Sequence, residues 1–331
     1  MMTTRRLDYQ LLSRAILAGA VFVFLSVRDG SFATPANVYT LFEGFAFSGL
    51  AALAIGMTMI AGELDLSVGS MAGLAGIIAV MLSNAIGPIP AVLIAVVVAM
   101  ILGGLQGLAI GLLKINSLVF TVGSMMALRG LAYIVCNQNT VVLRDLDIAD
   151  VVKHQLFLFS PFSLITIVLF TALWIFMTYS SVGRDIYAIG GGRPEAVAAG
   201  IPLTRTLVIV FGLSGSLAGL AGALVSLKSG SATPFGLADL TLPAATAALV
   251  GGVRIEGGRG SAIGIAVGVF ILRFMGSYIN LQGAPYFVES LATGAILLVV
   301  IAIELVTETP RLRERWARRK TAWAAESRPP S

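Results

Sequence analysis

Charged residues are scarce in this chain of 331 residues, at 12%, whereas soluble globular domains carry roughly 25%. Thiols and imidazoles are almost absent, because the sequence has one cysteine, Cys136, and one histidine, His154. A single cysteine excludes an internal disulfide. So few nucleophiles, bases and metal-binding side chains give no support to catalysis. The sequence therefore predicts neither a catalytic site nor a metal site.

Apolar residues, in contrast, make up 57% of the chain, and they fall in runs close to the roughly 20 residues that a helix needs to cross a bilayer. The sequence predicts an all-α integral membrane protein with about ten transmembrane helices in one domain, residues 1–310. A basic tail, residues 311–331, is expected to be disordered. The eighth run is short and contains Pro243, which is typical of a half-helix or a re-entrant segment. The predicted spans are 11–27, 41–60, 67–86, 90–113, 117–136, 158–180, 204–228, 240–253, 261–281 and 286–306.

Basic residues are divided unevenly between the connections on the two sides of these spans. If the N-terminus is inside, the inner connections and the tail carry most of the lysines and arginines, which is the bias of cytoplasmic segments. We therefore expect both termini to be cytoplasmic. This distribution accounts for the formal charge of +5, so binding to nucleic acid is not expected. Arg14 interrupts the first apolar run, which favours a retained helix over a cleaved signal peptide.

Glycines recur at four-residue spacing inside the predicted spans. Small residues at this spacing let helices approach closely in lipid, so the pattern predicts a tightly packed bundle. Helices that slide against one another during gating would show the same pattern, and this alternative stays open. The spaced glycines are Gly69 and Gly73; Gly103, Gly107 and Gly111; Gly215 and Gly219; and Gly260, Gly264 and Gly268.

A polar, glycine-rich loop separates the sixth and seventh predicted spans. Within it, Pro194 and Glu195 are typical of the first turn of a helix, and Gly200 is typical of its end. The predicted helix has about six residues and a length of roughly 9 Å, too short to be stable alone in water. It must dock, either on another protein or on its own bundle. Arg184 and Asp185, nearer the sixth span, either fix the chain there by hydrogen bonds or snorkel to the interface.

Two further segments carry glycine or polar residues between spans. Gly251–Gly260, with the sequence GGVRIEGGRG, lacks the Lys-Ser or Lys-Thr of a phosphate-binding loop, so it predicts a tight turn and no nucleotide site. Gly62–Ser70, with the sequence GELDLSVGS, joins the second and third spans. Asp65 and Ser67 in this turn either cap the third span or line a polar path through the bundle.

At these three segments the sequence resembles the permease subunits of ribose-type sugar ABC importers. That family includes arabinose, galactose, xylose and autoinducer permeases and is related to branched-chain amino-acid permeases. The resemblance covers about residues 35–308. Asp65–Ser70 is similar to the family's G-I-D-L-S-V-G-S, Gly183–Ile201 to its G-R-x-x-x-A-x-G-x-x-x-x-A-x-x-x-G-I coupling segment, and Gly251–Gly260 to its G-G-x-x-x-x-G-G-[KR]-G turn. Glu63 departs from the ribose branch, which usually has a small residue ahead of the aspartate.

The resemblance implies a type II ABC importer permease fold with one short cytoplasmic coupling helix. It also implies that the chain lies in the bacterial cytoplasmic (inner) membrane and forms half of a pathway for a monosaccharide or related polyol. The implied partners are a cytoplasmic ABC ATPase that binds ATP and Mg²⁺, a second permease copy or paralogue, and a periplasmic sugar-binding protein. This chain itself is expected to hold no cofactor.

Two sets of site residues follow from the motifs and from the short helix. The residues predicted to couple to the ATPase are Gly183, Arg184, Asp185, Ala188, Gly190, Pro194, Glu195, Ala196, Gly200 and Ile201. The candidates for the translocation path are Asp65, Ser67 and Ser70 in the polar turn, and Thr58, Gln106, Asn116, Thr121 and Ser124, whose hydroxyl or amide groups suit a sugar.

Alternatives to a sugar importer come from the same family and from other classes. A branched-chain amino-acid ABC permease would share the motifs. A self-sufficient secondary transporter would show ionisable relays or repeat-related broken helices within its spans, whereas few charges lie within spans here, among them Glu43, Arg129 and Arg273. ABC export of a lipid or polysaccharide is disfavoured by the import-type coupling segment.

Overall fold

The computed structural model describes residues 2–145 and 147–305, so the predicted basic tail lies outside the described residues. Within them, two short strands, β1 (Val141–Val142) and β2 (Ser231–Ala232), form an antiparallel pair, and all longer elements are helical. The α-helices are α1 (Met2–Arg28), α2 (Pro35–Ile60), α3 (Val68–Ile86), α4 (Pro88–Leu113), α5 (Ser117–Val135), α6 (Asp147–Lys153), α7 (Pro161–Tyr179), α8 (Ser181–Gly191), α9 (Arg193–Ala198), α10 (Leu203–Ser229), α11 (Thr241–Val250), α12 (Ala262–Leu281) and α13 (Tyr286–Leu305).

Nine helices of the described residues are long and apolar enough to cross a membrane. They are α1 to α5, α7, α10, α12 and α13, and each falls on one of the predicted spans. The remaining predicted span, 240–253, contains the ten-residue helix α11, whose length of about 15 Å is half of what a bilayer core requires. The all-α, multi-span architecture is therefore confirmed, and the eighth predicted span is a short helix, as its length and Pro243 indicate.

Serine side chains determine where several helices begin. Ser160 accepts a hydrogen bond from the backbone N–H of Ser163 at 3.1 Å at the start of α7, and Ser261 accepts one from Gly264 at 3.0 Å at the start of α12. Ser180 ends α7 and also caps α8, accepting from the Gly183 N–H at 2.9 Å. Such caps satisfy backbone donors that have no partner within their own helix. The chain therefore passes from α7 into α8 without an intervening loop.

Helix α8 corrects the prediction that a loop precedes the short helix. Gly183, Ile186 and Ile189 are buried along one face of α8, whereas Arg184 is exposed. This amphipathic face packs against the bundle. The prediction was wrong because two glycines at the end of the helix, Gly190 and Gly191, favoured a loop.

Close helix crossings depend on the spaced glycines. A Cβ atom on Gly103 would overlap the carbonyl oxygen of Phe211, and a Cβ on Gly107 would overlap that of Leu207. Both glycines lie on α4 and both obstructing atoms on α10. Because the obstructing atoms belong to backbone, they cannot move aside as a flexible side chain would. The predicted tight packing is confirmed at this crossing.

Helices α2, α3 and α10 form the buried centre of the bundle, and α1 and α13 lie at its periphery. One charged side chain in the membrane-spanning part of the bundle, that of Glu43, is paired with a charge of opposite sign. Glu43 in α2 is 5% exposed and accepts hydrogen bonds from Lys228 and from the hydroxyl of Ser160. Such pairing is how a membrane-embedded charge is stabilised.

The end of the bundle that carries α8 and α9 is called the α9 end below. Arg14 in α1 donates to the carbonyl oxygen of Gly251 at 3.1 Å, and Glu304 in α13 accepts from the N–H of Ile255 at 3.3 Å. The turn containing Gly251 and Ile255 meets the end of α2 and α8, because the N–H of Gly258 donates to the carbonyl oxygen of Ile60 at 2.8 Å. The first and last described spans therefore both have their outer termini at the α9 end.

The opposite end carries the β1–β2 pair, in which Val141 lies opposite Ala232. The cysteine at the end of α5, Cys136, is also at this end. Cys136 is 6% exposed, and its sulfur lies 3.7 Å from the carbonyl oxygen of Tyr133. The thiol is therefore enclosed by the bundle.

Candidate functional site

Helix α8 is fixed firmly to the bundle. A Cβ atom on Gly190 would overlap the carbonyl oxygen of Ile60, so α8 and the end of α2 are in backbone contact. The hydroxyl of Tyr187 donates to the carbonyl oxygen of Gly260 at 2.9 Å. Burial raises the pKa of the Tyr187 hydroxyl, so this group keeps its proton and donates at neutral pH. A movement of α8 would therefore be passed to α2 and to the glycine-rich turn.

Helix α9 has six residues, which is the length that the sequence predicts. It begins one residue before Pro194, at Arg193. Of these six residues, all of which the structure describes, Ala196 is buried against the bundle. Pro194, Glu195 and Val197 are exposed. The helix is thus anchored by one small side chain, and its other face is open to a partner.

The other predicted coupling residues lie around this helix. Arg184 is exposed, and its guanidinium donates to the carbonyl oxygen of Tyr179 at 3.4 Å, which supports the hydrogen-bonding alternative for this residue. Asp185 is half-buried. Gly200 has a φ of +85°, a left-handed conformation that glycine adopts without strain and that commonly ends a helix. Ala188 and Ile201 line a shallow groove beside α9.

A second polar feature lies at the turn between α2 and α3. The carboxylate of Asp65, 3% exposed, accepts hydrogen bonds from the N–H and the hydroxyl of Ser67 at 3.0 and 2.6 Å. It also accepts one from the hydroxyl of Ser214 in α10 at 3.1 Å. Ser67 occupies the N-cap position of α3, as the capping alternative predicts, but its side chain accepts no hydrogen bond from the start of that helix.

Polar side chains from two other helices hold the same turn. The amide of Gln106 in α4 donates to the Ser67 hydroxyl at 3.2 Å. Thr121 in α5 donates to the carbonyl oxygen of Leu64 at 3.0 Å and accepts from the N–H of Leu66 at 3.2 Å. Asp65, Ser67, Gln106, Thr121 and Ser214 are called the Asp65 cluster below.

The Asp65 cluster lies deep in the bundle. Ser214 follows the first residue of α10, Leu203, by eleven positions, which is roughly 16 Å along the helix and about half of the 30 Å hydrocarbon thickness. All five members of the cluster are buried. Irregular polar backbone at such depth occurs where protein or a water-filled path surrounds it.

Four of the eight predicted path residues therefore come together, and the others are distributed. The hydroxyl of Thr58 donates to the carbonyl oxygen of Ile55 in its own helix at 2.8 Å. Asn116 is exposed and caps α5, accepting from the N–H of Leu118 at 2.9 Å. Ser70 is buried, and its hydroxyl finds no hydrogen-bond partner among the described residues.

Ser124, the remaining candidate, is half-buried one helical turn beyond the threonine of the cluster. The sequence missed three hydroxyl groups that contact the α2–α3 turn or the start of α3. Ser214 binds Asp65, Ser117 accepts from the N–H of Leu64 at 3.1 Å, and Thr241 accepts from that of Gly69 at 3.0 Å. In the sequence, the only feature that marks these three residues is a hydroxyl group within or beside an apolar run. The role of this region in translocation stays a prediction.

Replacing Asp65 by alanine is expected to destabilise the bundle. The change leaves the N–H of Ser67 and the hydroxyl of Ser214 without their buried acceptor, at about 1–3 kcal/mol for each unsatisfied group. Asp65→Asn keeps an acceptor oxygen and is the matched control, with a smaller expected loss. Thermal unfolding of the purified protein measures the effect, and equal unfolding temperatures for Asp65→Ala and the wild type would contradict it.

In the part of the chain that the structure describes, nine long apolar helices and a short, partly exposed helix at one end define a multi-pass membrane protein. The family model described as "Branched-chain amino acid transport system / permease component" matches residues 37–301. Because this match covers most of the chain, the protein belongs to that family of ABC transporter permeases. No solved structure matches the chain.

Bacterial sugar permeases are among the similar proteins. The chain is 30% identical over 285 residues to the ribose import permease protein RbsC of Bacillus subtilis (strain 168), covering 85% of this chain and 88% of the relative. It is 29% identical over 306 residues to the L-arabinose ABC transporter permease protein AraH of Azospirillum brasilense, covering 89% and 88%. It is 28% identical over 357 residues to the xylose transport system permease protein XylH of Escherichia coli (strain K12), covering 89% and 91%. The resemblance to ribose-type sugar permeases is thereby confirmed.

Proposed function

We propose that this chain is the transmembrane permease subunit of an ABC importer for a monosaccharide, with a five-carbon aldose as the first candidate. One observation carries the proposal: relatives named for ribose, arabinose and xylose each align with at least 85% of the chain. All three sugars are aldopentoses. The chain forms the path and performs no chemical step.

The partners follow from this assignment. A cytoplasmic ATPase binds ATP and Mg²⁺ and hydrolyses the nucleotide, a second permease copy or paralogue completes the path, and a periplasmic protein delivers the sugar. The α9 end faces the cytoplasm, with both termini on that side. Two observations support this orientation, namely the excess of basic residues in the connections at this end and the exposed face of α9.

The contacts of α8 support a route from the ATPase to the path. The ATPase closes on ATP and moves α9, and the contacts of α8 with Ile60 and the glycine-rich turn pass the movement to the bundle. The Asp65 cluster, near the middle of the bundle, offers hydroxyl, amide and carboxylate groups that exchange hydrogen bonds with a passing sugar. Access then alternates between the two faces of the membrane.

Uptake by a strain that lacks the gene tests the proposal. We expect uptake of one of radiolabelled D-ribose, L-arabinose or D-xylose to be lost and to return when the gene is restored, with L-leucine uptake unchanged. Loss of L-leucine uptake with normal sugar uptake would support the branched-chain amino-acid alternative. Transport by vesicles that contain this chain alone would support a self-sufficient transporter.

A further inference from the structure

A charge pair joins two segments that are 130 residues apart in the sequence. The guanidinium of Arg193 and the carboxylate of Glu63 form an ion pair at the α9 end. Arg193 is the first residue of α9, and Glu63 lies in the turn that leads into the Asp65 cluster. The pair therefore connects the exposed short helix to the polar turn.

The environment of the carboxylate makes the pairing important. The side chain of Glu63 is 6% exposed, whereas that of Arg193 is 39% exposed. A buried carboxylate is unfavourable unless a charged or hydrogen-bonding partner compensates it. The backbone N–H of Glu63 also donates to the carbonyl oxygen of Thr58 at 2.9 Å, so the residue is fixed to the end of α2. A displacement of Arg193 therefore leaves a buried charge that the turn must accommodate.

The path from the ion pair to the Asp65 cluster is short. Asp65 follows Glu63 by two residues, at most about 7 Å of extended chain. Leu64, between them, is held by Ser117 and Thr121 through its N–H and its carbonyl oxygen. A segment that is this short and this fully hydrogen-bonded has little conformational freedom, so a shift of Glu63 moves Asp65 as well.

We propose that the Glu63–Arg193 ion pair transmits the position of α9 to the Asp65 turn. Both are positioning residues, because they act on the path through the turn and do not contact the solute. The inference rests on the proposed function in one respect, namely that a partner ATPase moves α9. One buried residue, Ala196, anchors α9 to the bundle. The ion pair gives α9 a second attachment, which leads through the α2–α3 turn to the centre of the bundle.

A double-mutant cycle in the complete transporter tests the proposal, with Glu63→Gln, Arg193→Gln and the double variant. Solute uptake and ATP hydrolysis are both measured, using the pentose that the wild type carries. We expect each single variant to transport at least about fivefold less sugar per ATP, while hydrolysis itself stays close to the wild-type rate. The double variant should be no worse than the poorer single variant, since both remove one interaction.

Two further variants serve as controls. Arg205→Gln removes the same charge from an exposed residue at the same end of the bundle and should leave the sugar transported per ATP unchanged. Arg193→Lys keeps a charge that can reach Glu63 and should retain most of the wild-type ratio.

A wild-type ratio of sugar to ATP in the single variants would overturn the inference, and so would two other outcomes. If hydrolysis, uptake and the amount of permease in the membrane fall together, the pair only stabilises the fold. If the losses of the two single variants multiply in the double variant, the residues act independently. If the wild-type transporter carries a different solute, the proposed substrate is wrong. The amount of that solute transported per ATP hydrolysed then tests the ion pair in the same way.

Discussion

Val197→Arg is expected to release the ATPase and to abolish sugar uptake, with the permease still present in the membrane in its normal amount. Val197 is 49% exposed in the permease, on the part of α9 that the ATPase would cover. Burying an arginine there without a partner costs roughly 2–5 kcal/mol, and each 1.4 kcal/mol is about a tenfold loss of affinity. Arginine is a good helix former, so the short helix itself should persist.

Copurification of the ATPase with tagged permease, measured alongside uptake, checks this result. Val197→Ile is the matched control, because it keeps an apolar, β-branched side chain at the same exposed position and should bind the ATPase. Normal ATPase binding and normal uptake by Val197→Arg would mean that α9 is not the coupling helix.

Gly222→Val is expected to prevent the bundle from forming correctly. A Cβ atom at this position in α10 would overlap the carbonyl group of Ala72 in α3, and backbone cannot move aside without separating the two most buried helices. We expect a loss of about 3 kcal/mol or more in the free energy of unfolding, seen as a much lower yield of folded protein and a lower thermal unfolding temperature.

Gly123→Val provides the matched control for this packing prediction. It makes the same substitution within a span, in α5, but no heavy atom lies within 4 Å of the added Cβ. This variant should unfold near the wild-type temperature. If both variants had the same stability, helix propensity and not close contact would explain the glycines.

The spans could be predicted from the sequence because each depends on a local property, a run of apolar residues long enough to cross the bilayer. The short helix α9 was also predictable from a local property, because Pro194 and Gly200 lie at its two ends. Helix α8 was missed because Gly190 and Gly191 are typical of loops, whereas here Gly190 permits backbone contact with Ile60. A glycine in sequence does not distinguish these two uses.

The candidate site was predictable only in part. Asp65 and Ser67 belong to a motif, but the partner Ser214 is one hydroxyl among many in apolar helices, and helix rotation decides which of them face inwards. The ion pair of Glu63 with Arg193 was hidden for a related reason. Neither residue has an oppositely charged neighbour at helical spacing, and only the packing of α9 beside the α2–α3 turn brings them together.

The enclosed thiol of Cys136 has a practical consequence for following the motion of the α9 end. Because this is the one cysteine in the chain and it is 6% exposed, maleimide reagents will reach it poorly in the folded permease. A cysteine introduced at the exposed residue Arg205, at the α9 end, would then be the main site of attachment for a fluorescent dye. The dye then reports how the α9 end moves relative to a labelled ATPase during turnover.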